Sequence, residues 1–133
     1  IYVSDFILGE GKNQGILEES LQKERVVGKI QRQNFRRSVK ANAKLSFGTD
    51  AGIYPHGKNA IQFKYMVEWG MTPLQAIQAS TINTAELFGF TNIGNINEGF
   101  EADIIGIKGN PLEDITVLEN VNFVMKDGVI FKQ

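Results

Sequence analysis

Lys44-Leu45-Ser46-Phe47-Gly48-Thr49-Asp50-Ala51-Gly52, followed closely by Tyr54-Pro55-His56-Gly57, is the stretch on which the reading of this chain turns. Apolar residues run into a glycine, then a carboxylate, then a loop carrying the chain's one histidine. The pattern predicts a short buried strand over 44–47 and a loop over 48–57, with an acid presented where the strand ends.

Downstream, Asn59 is expected to cap a helix from Ala60 to Trp69. Its Ile61, Tyr65 and Met66 share one side, Phe63, Val67 and Trp69 make it broadly apolar, and Gly70 ends it. Met71-Thr72-Pro73 opens another helix, with Thr72 as N-cap, Pro73 at the first helical position and Gln75 at the third. Leu74, Ile77, Thr81, Ala85 and Phe88 repeat at three and four, which predicts one continuous helix to Phe88 with Gly89 closing it. From Thr91 the period becomes strand-like. Ile93–Asn97 alternates, Glu98-Gly99 turns, and Ala102–Ile107 reads as a buried strand. Residues 121–125 and 129–132 flank Lys126-Asp127-Gly128, where Asp-Gly is a strong tight-turn signal. Residues 91–133 are thus predicted to form a small antiparallel β element.

Upstream, residues 1–8 read as the end of a strand or a short buried segment, and 9–15 as a loop. Gly9-Glu10-Gly11-Lys12-Asn13-Gln14-Gly15 fails both phosphate-binding patterns: a dinucleotide fingerprint needs glycine in place of Gln14, and a P-loop needs Ser or Thr in place of Asn13. Residues 17–42 are predicted as one long helix, with Leu17, Leu21, Ile30 and Val39 near helical spacing and Val27 and Phe35 widening the stripe. Glu18 and Glu19 at its start and Arg36, Arg37 and Lys40 near its end complement the helix dipole. Its basic residues surround the polar surface without interleaved aromatics, the pattern of a solvated face and not of a nucleic-acid groove.

A net charge of -1 removes the electrostatic case for nucleic acid or an anionic membrane as partner. No apolar run approaches the roughly 20 residues of a membrane span. The absence of cysteine excludes disulfides, thiolate nucleophiles and cysteine-bound zinc together. With no signal-peptide pattern at the start, the expected compartment is the cytoplasm. The chain opens on Ile1 within an apolar run and changes architecture along its length, so it is expected to be a piece of a larger protein.

General acid–base or metal chemistry needs clustered Asp, Glu and His. One histidine, with no His-x-His and no His-Glu-x-x-His, cannot complete a zinc site of the usual kind. Gly-x-Ser-x-Gly is absent, which argues against a triad through His56. No pair of acids is marked by context for glycosidase chemistry. Asp50 differs because of where it sits: side chains at the C-terminal ends of parallel barrel strands project into the active-site mouth. Gly48, Ala51 and Gly52 leave room for a ligand or metal to approach it. An Asp after a strand is also a common loop cap satisfying backbone amides, and position alone leaves both readings open. His56 is a surface or structural histidine, or a substrate contact.

Phe47-Gly48-Thr49-Asp50-Ala51-Gly52 with Tyr54-Pro55-His56-Gly57, then Trp69-Gly70-Met71-Thr72-Pro73-Leu74-Gln75-Ala76-Ile77 and Ala79-Ser80-Thr81, resembles the C-terminal end of the amidohydrolase superfamily, in its imidazolonepropionase-like and Xaa-Pro dipeptidase-like branch. Gly94 through Asp103, Gly109-Asn110-Pro111-Leu112 and Phe123-Val124-Met125-Lys126-Asp127-Gly128 resemble that family's closing β segment and terminal hairpin. The resemblance implies an α/β chain in which residues 1–90 are the C-terminal part of a (β/α)8 metal-dependent hydrolase barrel. Residues 91–133 would then be part of a small antiparallel β-sandwich built from both chain ends. It implies one or two divalent metals, usually zinc, and hydrolysis of C–N bonds in small amide or peptide substrates.

On this resemblance Asp50 follows the last barrel strand, ligates a metal, and as general base moves a proton from activated water to the leaving amine. His56 would touch substrate. The family's His-x-His and its later Lys and His ligands have no counterparts here, so this chain is expected to bind no catalytic metal and to be inactive by itself. Open strand edges and bare helix faces predict self-association. The alternative is a non-catalytic interaction module on the same scaffold, with Asp50 as a structural cap.

Overall fold

The computed structural model describes residues 2–133. They form two compact units: residues up to Ala43 with Thr49–Gly70, and Lys44–Gly48 with Met71–Gln133.

The first unit contains α1 (Tyr2–Glu10), a 3-10 turn (Gly11–Gln14), α2 (Glu18–Lys40) and α3 (Ile61–Glu68). Residues 2–8, the described part of the run read as the end of a strand or a short buried segment, are helical. That run is too short for periodicity to separate helix from strand, and its inward residues decide the matter: Ser4 and Phe6 are buried, and Ser4 and Asp5 meet polar groups of α2. The Ser4 hydroxyl donates to the Glu24 carboxylate and lies 3.3 Å from Gln31 Oε1. Asp5 pairs with Arg32. Burial pushes the Asp5 carboxyl above its ordinary range, with the Arg32 guanidinium pulling against that shift.

This seam corrects the expected apolar stripe of α2. Leu21 and Gly28 are buried, while Leu17, Val27 and Ile30 are exposed. The contacts with α1 run through Glu24, Gly28, Gln31 and Arg32, a polar row that hydrophobicity cannot reveal. The other side of the unit is aromatic. Tyr2 stacks on Tyr65 at 5.8 Å, Tyr65 meets Trp69 edge-on at 5.9 Å, and Phe35 meets Trp69 at 6.0 Å. The Arg32 guanidinium lies 5.1 Å from the Trp69 ring centre. Each such pair contributes about 0.5–1.5 kcal/mol beyond area burial. Asn59 does not cap α3: the N-cap position is Ala60, without a side-chain bond.

In the second unit, residues 44–47 form no strand. Their polar groups bond helical segments: Phe47 N–H donates to the Ala79 carbonyl at 2.8 Å, Asn83 Nδ2 donates to the Leu45 carbonyl at 3.1 Å, and Lys44 pairs with Glu86. A strand is defined by a neighbour to bond, and no described strand lies alongside this one.

The helix opening at Thr72 forms as predicted, with a complete capping box between Thr72 and Gln75. It does not continue to Phe88. It breaks at Thr81 into α4 (Pro73–Ser80) and α5 (Ile82–Leu87). Ser80 and Thr81 hydroxyls donate to the Ile77 carbonyl at 2.8 and 2.9 Å, and Thr84 donates to the Ala79 carbonyl at 2.6 Å. Such back-bonding competes with the helical ladder and bends it. Ala76, Ala79 and Ala85 are the buried residues of α4 and α5; of the predicted stripe Ala85 is buried and Ile77 half-buried, while Leu74, Thr81 and Phe88 are exposed.

Ile93–Asn97, expected as a strand, is irregular. Gly94 has a φ of +83°, and a Cβ there would lie 3.0 Å from both Ala85 Cβ and the Thr81 carbonyl oxygen. The chain is pressed onto the helix break at a point only glycine fits.

The antiparallel element is a three-stranded sheet in the order β1 (Ile104–Ile107), β2 (Val121–Lys126), β3 (Val129–Lys132). Asp127 and Gly128 both have positive φ, 51° and 75°, as a two-residue hairpin of the primed type requires. Register shifts at Gly106/Ile107, where Asn122 is left over and its Oδ1 accepts from the Lys108 N–H at 3.0 Å. A second 3-10 turn, Ile115–Glu119, lies on the connection from β1 to β2 in the chain, with Ile115 and Leu118 buried. No helix among the described residues is long and apolar enough to cross a membrane.

Candidate active site

The loop after residues 44–47 bends through Asp50, Gly52 and Gly57, all with positive φ. Asp50 has a φ of 52°, and among the described residues the other non-glycine positions sharing this conformation are Asn42 and Asp127. The left-handed region costs most residues roughly 1–2 kcal/mol, and Asp and Asn tolerate it best. Nothing in the sequence marks this backbone conformation, although the residue type permits it.

Asp50 and His56 are both exposed. The Asp50 carboxylate accepts no hydrogen bond from the described residues, so it caps no backbone amide there. The loop is instead held by Tyr54, which sequence reasoning passed over. Tyr54 is 2% exposed, its ring lies 4.7 Å from Tyr2 and 5.8 Å from Phe6, and its hydroxyl donates to the Thr49 carbonyl at 3.3 Å. An apolar-flanked tyrosine four residues after the acid was the available signal.

The donor set around Asp50 fits one ligand of a divalent metal and not a complete site. Neither Asp50 nor His56 belongs to a group of three potential ligands among the described residues. One such group does occur, in the β element: Glu101, Asp103 and Asp127 bring carboxylate oxygens within 4.8 Å of one another. A cation already stands among them. Lys126 Nζ lies 2.8 Å from Asp103, 2.9 Å from Asp127 and 3.9 Å from Glu101. The hydrogen bonds that Lys126 donates to Asp103 and Asp127 raise the Lys126 pKa, and those that Asp103 accepts from Lys126 and the Asp127 N–H lower the Asp103 pKa. With Gly128 N–H bonded to the Ala102 carbonyl at 3.2 Å, these contacts clip the hairpin onto the start of β1. The Ala102-Asp103 and Lys126-Asp127-Gly128 motifs therefore meet in space.

Comparison with known proteins adds a family to this geometry. The model of the amidohydrolase family matches residues 6–131. Ochratoxinase from Aspergillus niger is 36% identical over 133 aligned residues, covering 96% of this chain and 27% of that protein. The crystal structure of a Xaa-Pro dipeptidase with methionine bound in its active site superimposes with a TM-score of 0.89 at 40% identity, over 98% of this chain and 33% of that one. A prolidase crystallised with N-methylphosphonate-L-proline gives a TM-score of 0.86 at 28% identity, over 98% and 33%. The chain thus spans a third or less of the length of these relatives. The family match runs from Phe6 to Phe131 and takes in residues of both compact units: the chain belongs to the amidohydrolase family.

Proposed function

We propose that this chain is the C-terminal part of a metal-dependent hydrolase of C–N bonds in small amides or peptides. Residues 1–90 would belong to its (β/α)8 barrel and 91–133 to its β-sandwich. The family match supports the class of reaction, and relatives named Xaa-Pro dipeptidase, prolidase and ochratoxinase support amide and peptide substrates. The observation that carries the reading is Asp50 itself: a carboxylate on a left-handed residue, open to solvent and engaged with no described group.

The amidohydrolase family is generally metal-dependent. A divalent ion, by this reading zinc, would supply Lewis acidity and lower the pKa of water at the site. Asp50 would furnish one ligand oxygen, the remaining ligands coming from elsewhere in the protein. Its carboxylate, acceptor-only when ionised, takes a proton from the attacking water at one oxygen and returns it to the leaving nitrogen. His56, exposed on the same loop, contacts the substrate. Gly48 and Gly52 keep side chains away from the approach to Asp50.

The 133 residues alone are expected to hydrolyse nothing, to bind zinc no more tightly than a surface carboxylate does, and to self-associate. Leu87, Phe88 and Phe90 in one unit and Val26, Val27 and Ile30 in the other are exposed, and apolar surface of that kind seeks a partner. The experiment is metal analysis with an amide and dipeptide panel on the protein that carries this chain, beside the same assays and light scattering on the 133 residues. Turnover by the isolated chain would refute its incompleteness. A metal-free, inactive longer protein would refute the enzyme reading.

A further inference from the structure

Tyr54 is almost fully buried on a loop whose neighbours Gly52, Ile53, Pro55 and His56 are exposed. Its ring meets Tyr2 edge-on at 4.7 Å and Phe6 at 5.8 Å, so α1 fixes it in place. From that fixed point the hydroxyl reaches back toward the acid. It donates to the Thr49 carbonyl oxygen at 3.3 Å and lies 3.4 Å from Asn59 Oδ1. A phenol has a single O–H to donate and lone pairs to accept with. The Asn59 amide can turn its NH2 toward the phenol, which leaves the tyrosine proton for Thr49.

The Thr49 carbonyl belongs to the peptide plane that ends at the Asp50 nitrogen. A bond to that oxygen holds the plane about which the Asp50 φ of 52° is measured. Gly52, at a φ of 152°, supplies the reversal that lets residue 54 return to residue 49. We infer that Tyr54 is a positioning residue: its hydroxyl locks the Thr49–Asp50 peptide and thereby aims the Asp50 carboxylate, tying it to α1. This rests on the reading of Asp50 as the working acid. The link to catalysis is geometric, because a misplacement of about 1 Å in a reacting group can lower a rate about 10²-fold.

Tyr54→Phe keeps the ring in the aromatic layer and removes only the hydroxyl. In the protein that carries this chain, amide hydrogen exchange in peptides spanning 49–53 should rise about tenfold, since the segment loses its internal anchor. With a dipeptide substrate, kcat should fall about ten- to hundredfold while KM stays within about threefold, the signature of an interaction needed beyond ground-state binding. A tyrosine that only packs would leave both readouts unmoved, because the phenylalanine keeps the ring. Unchanged exchange at 49–53 overturns the inference, and so does unchanged kcat in an enzyme that Asp50→Asn inactivates. If Asp50→Asn remains active, the reading of Asp50 fails instead, and the exchange measurement alone then decides whether Tyr54 anchors the loop.

Discussion

Asp50→Asn, in the protein that carries this chain, is expected to lower kcat for amide hydrolysis by about 10²–10⁴-fold, the usual range for loss of a general base. Asparagine is the informative replacement. It matches aspartate in shape and tolerates the left-handed backbone at a φ of 52°, so the fold has no reason to respond. What it removes is the basic oxygen and the negative charge a metal would seek. Melting temperature of the metal-free protein should therefore match that of metal-free wild type, while turnover and bound zinc both fall. Alanine would blur the result, because it adds the backbone penalty of the left-handed region, roughly 1–2 kcal/mol. Steady-state kinetics with metal analysis decide the matter, and an Asp50→Asn enzyme of near-normal kcat removes the residue from the chemistry.

Trp69→Ala is expected to produce the largest loss of stability of any single change in the first unit, about 3–5 kcal/mol. Trp69 is 6% exposed and is the point where three interactions meet: Phe35 from α2, Tyr65 from α3, and the Arg32 guanidinium over its face. Truncation opens a cavity and also strips Arg32 of its aromatic partner while Asp5 remains beside it. Single domains are stable by about 5–15 kcal/mol, so the change takes a large fraction of the total. Urea unfolding should show a lower midpoint at unchanged slope. Trp69→Phe should recover part of the loss, since a phenyl ring still offers a face to Arg32. A loss under about 1 kcal/mol for the alanine variant would mean that the aromatic layer is not what holds the unit together.

The elements that were legible in the sequence are those whose signal is local chemistry. Thr72-Pro73 with Gln75 specifies a capped helix start whatever surrounds it, because cap and first turn satisfy one another. Asp127-Gly128 specifies a hairpin because both residues accept positive φ. The long helix over 17–42 was likewise readable and forms as α2 over Glu18–Lys40. The elements that were misread depend on partners. Residues 2–8 fold as a helix because α2 offers a polar seam to Ser4 and Asp5. Residues 44–47 stay outside any sheet because their backbone finds Ala79 and Asn83. The helix from Thr72 breaks at Thr81 where hydroxyls turn back onto the backbone, a competition that apolar periodicity does not register.

The same division runs through the candidate site. From sequence alone came the acid, its small neighbours, the following histidine and the family resemblance, because residue type and spacing carry that chemistry directly. Only the tertiary structure decided that Asp50 lies in the left-handed region with its carboxylate unengaged, and that Tyr54 grips the peptide beside it from a layer built by α1. The physical reason is distance along the chain. Caps and tight turns close over a few residues, whereas the anchor joins residues 2 and 6 to residue 54, and only packing brings those together.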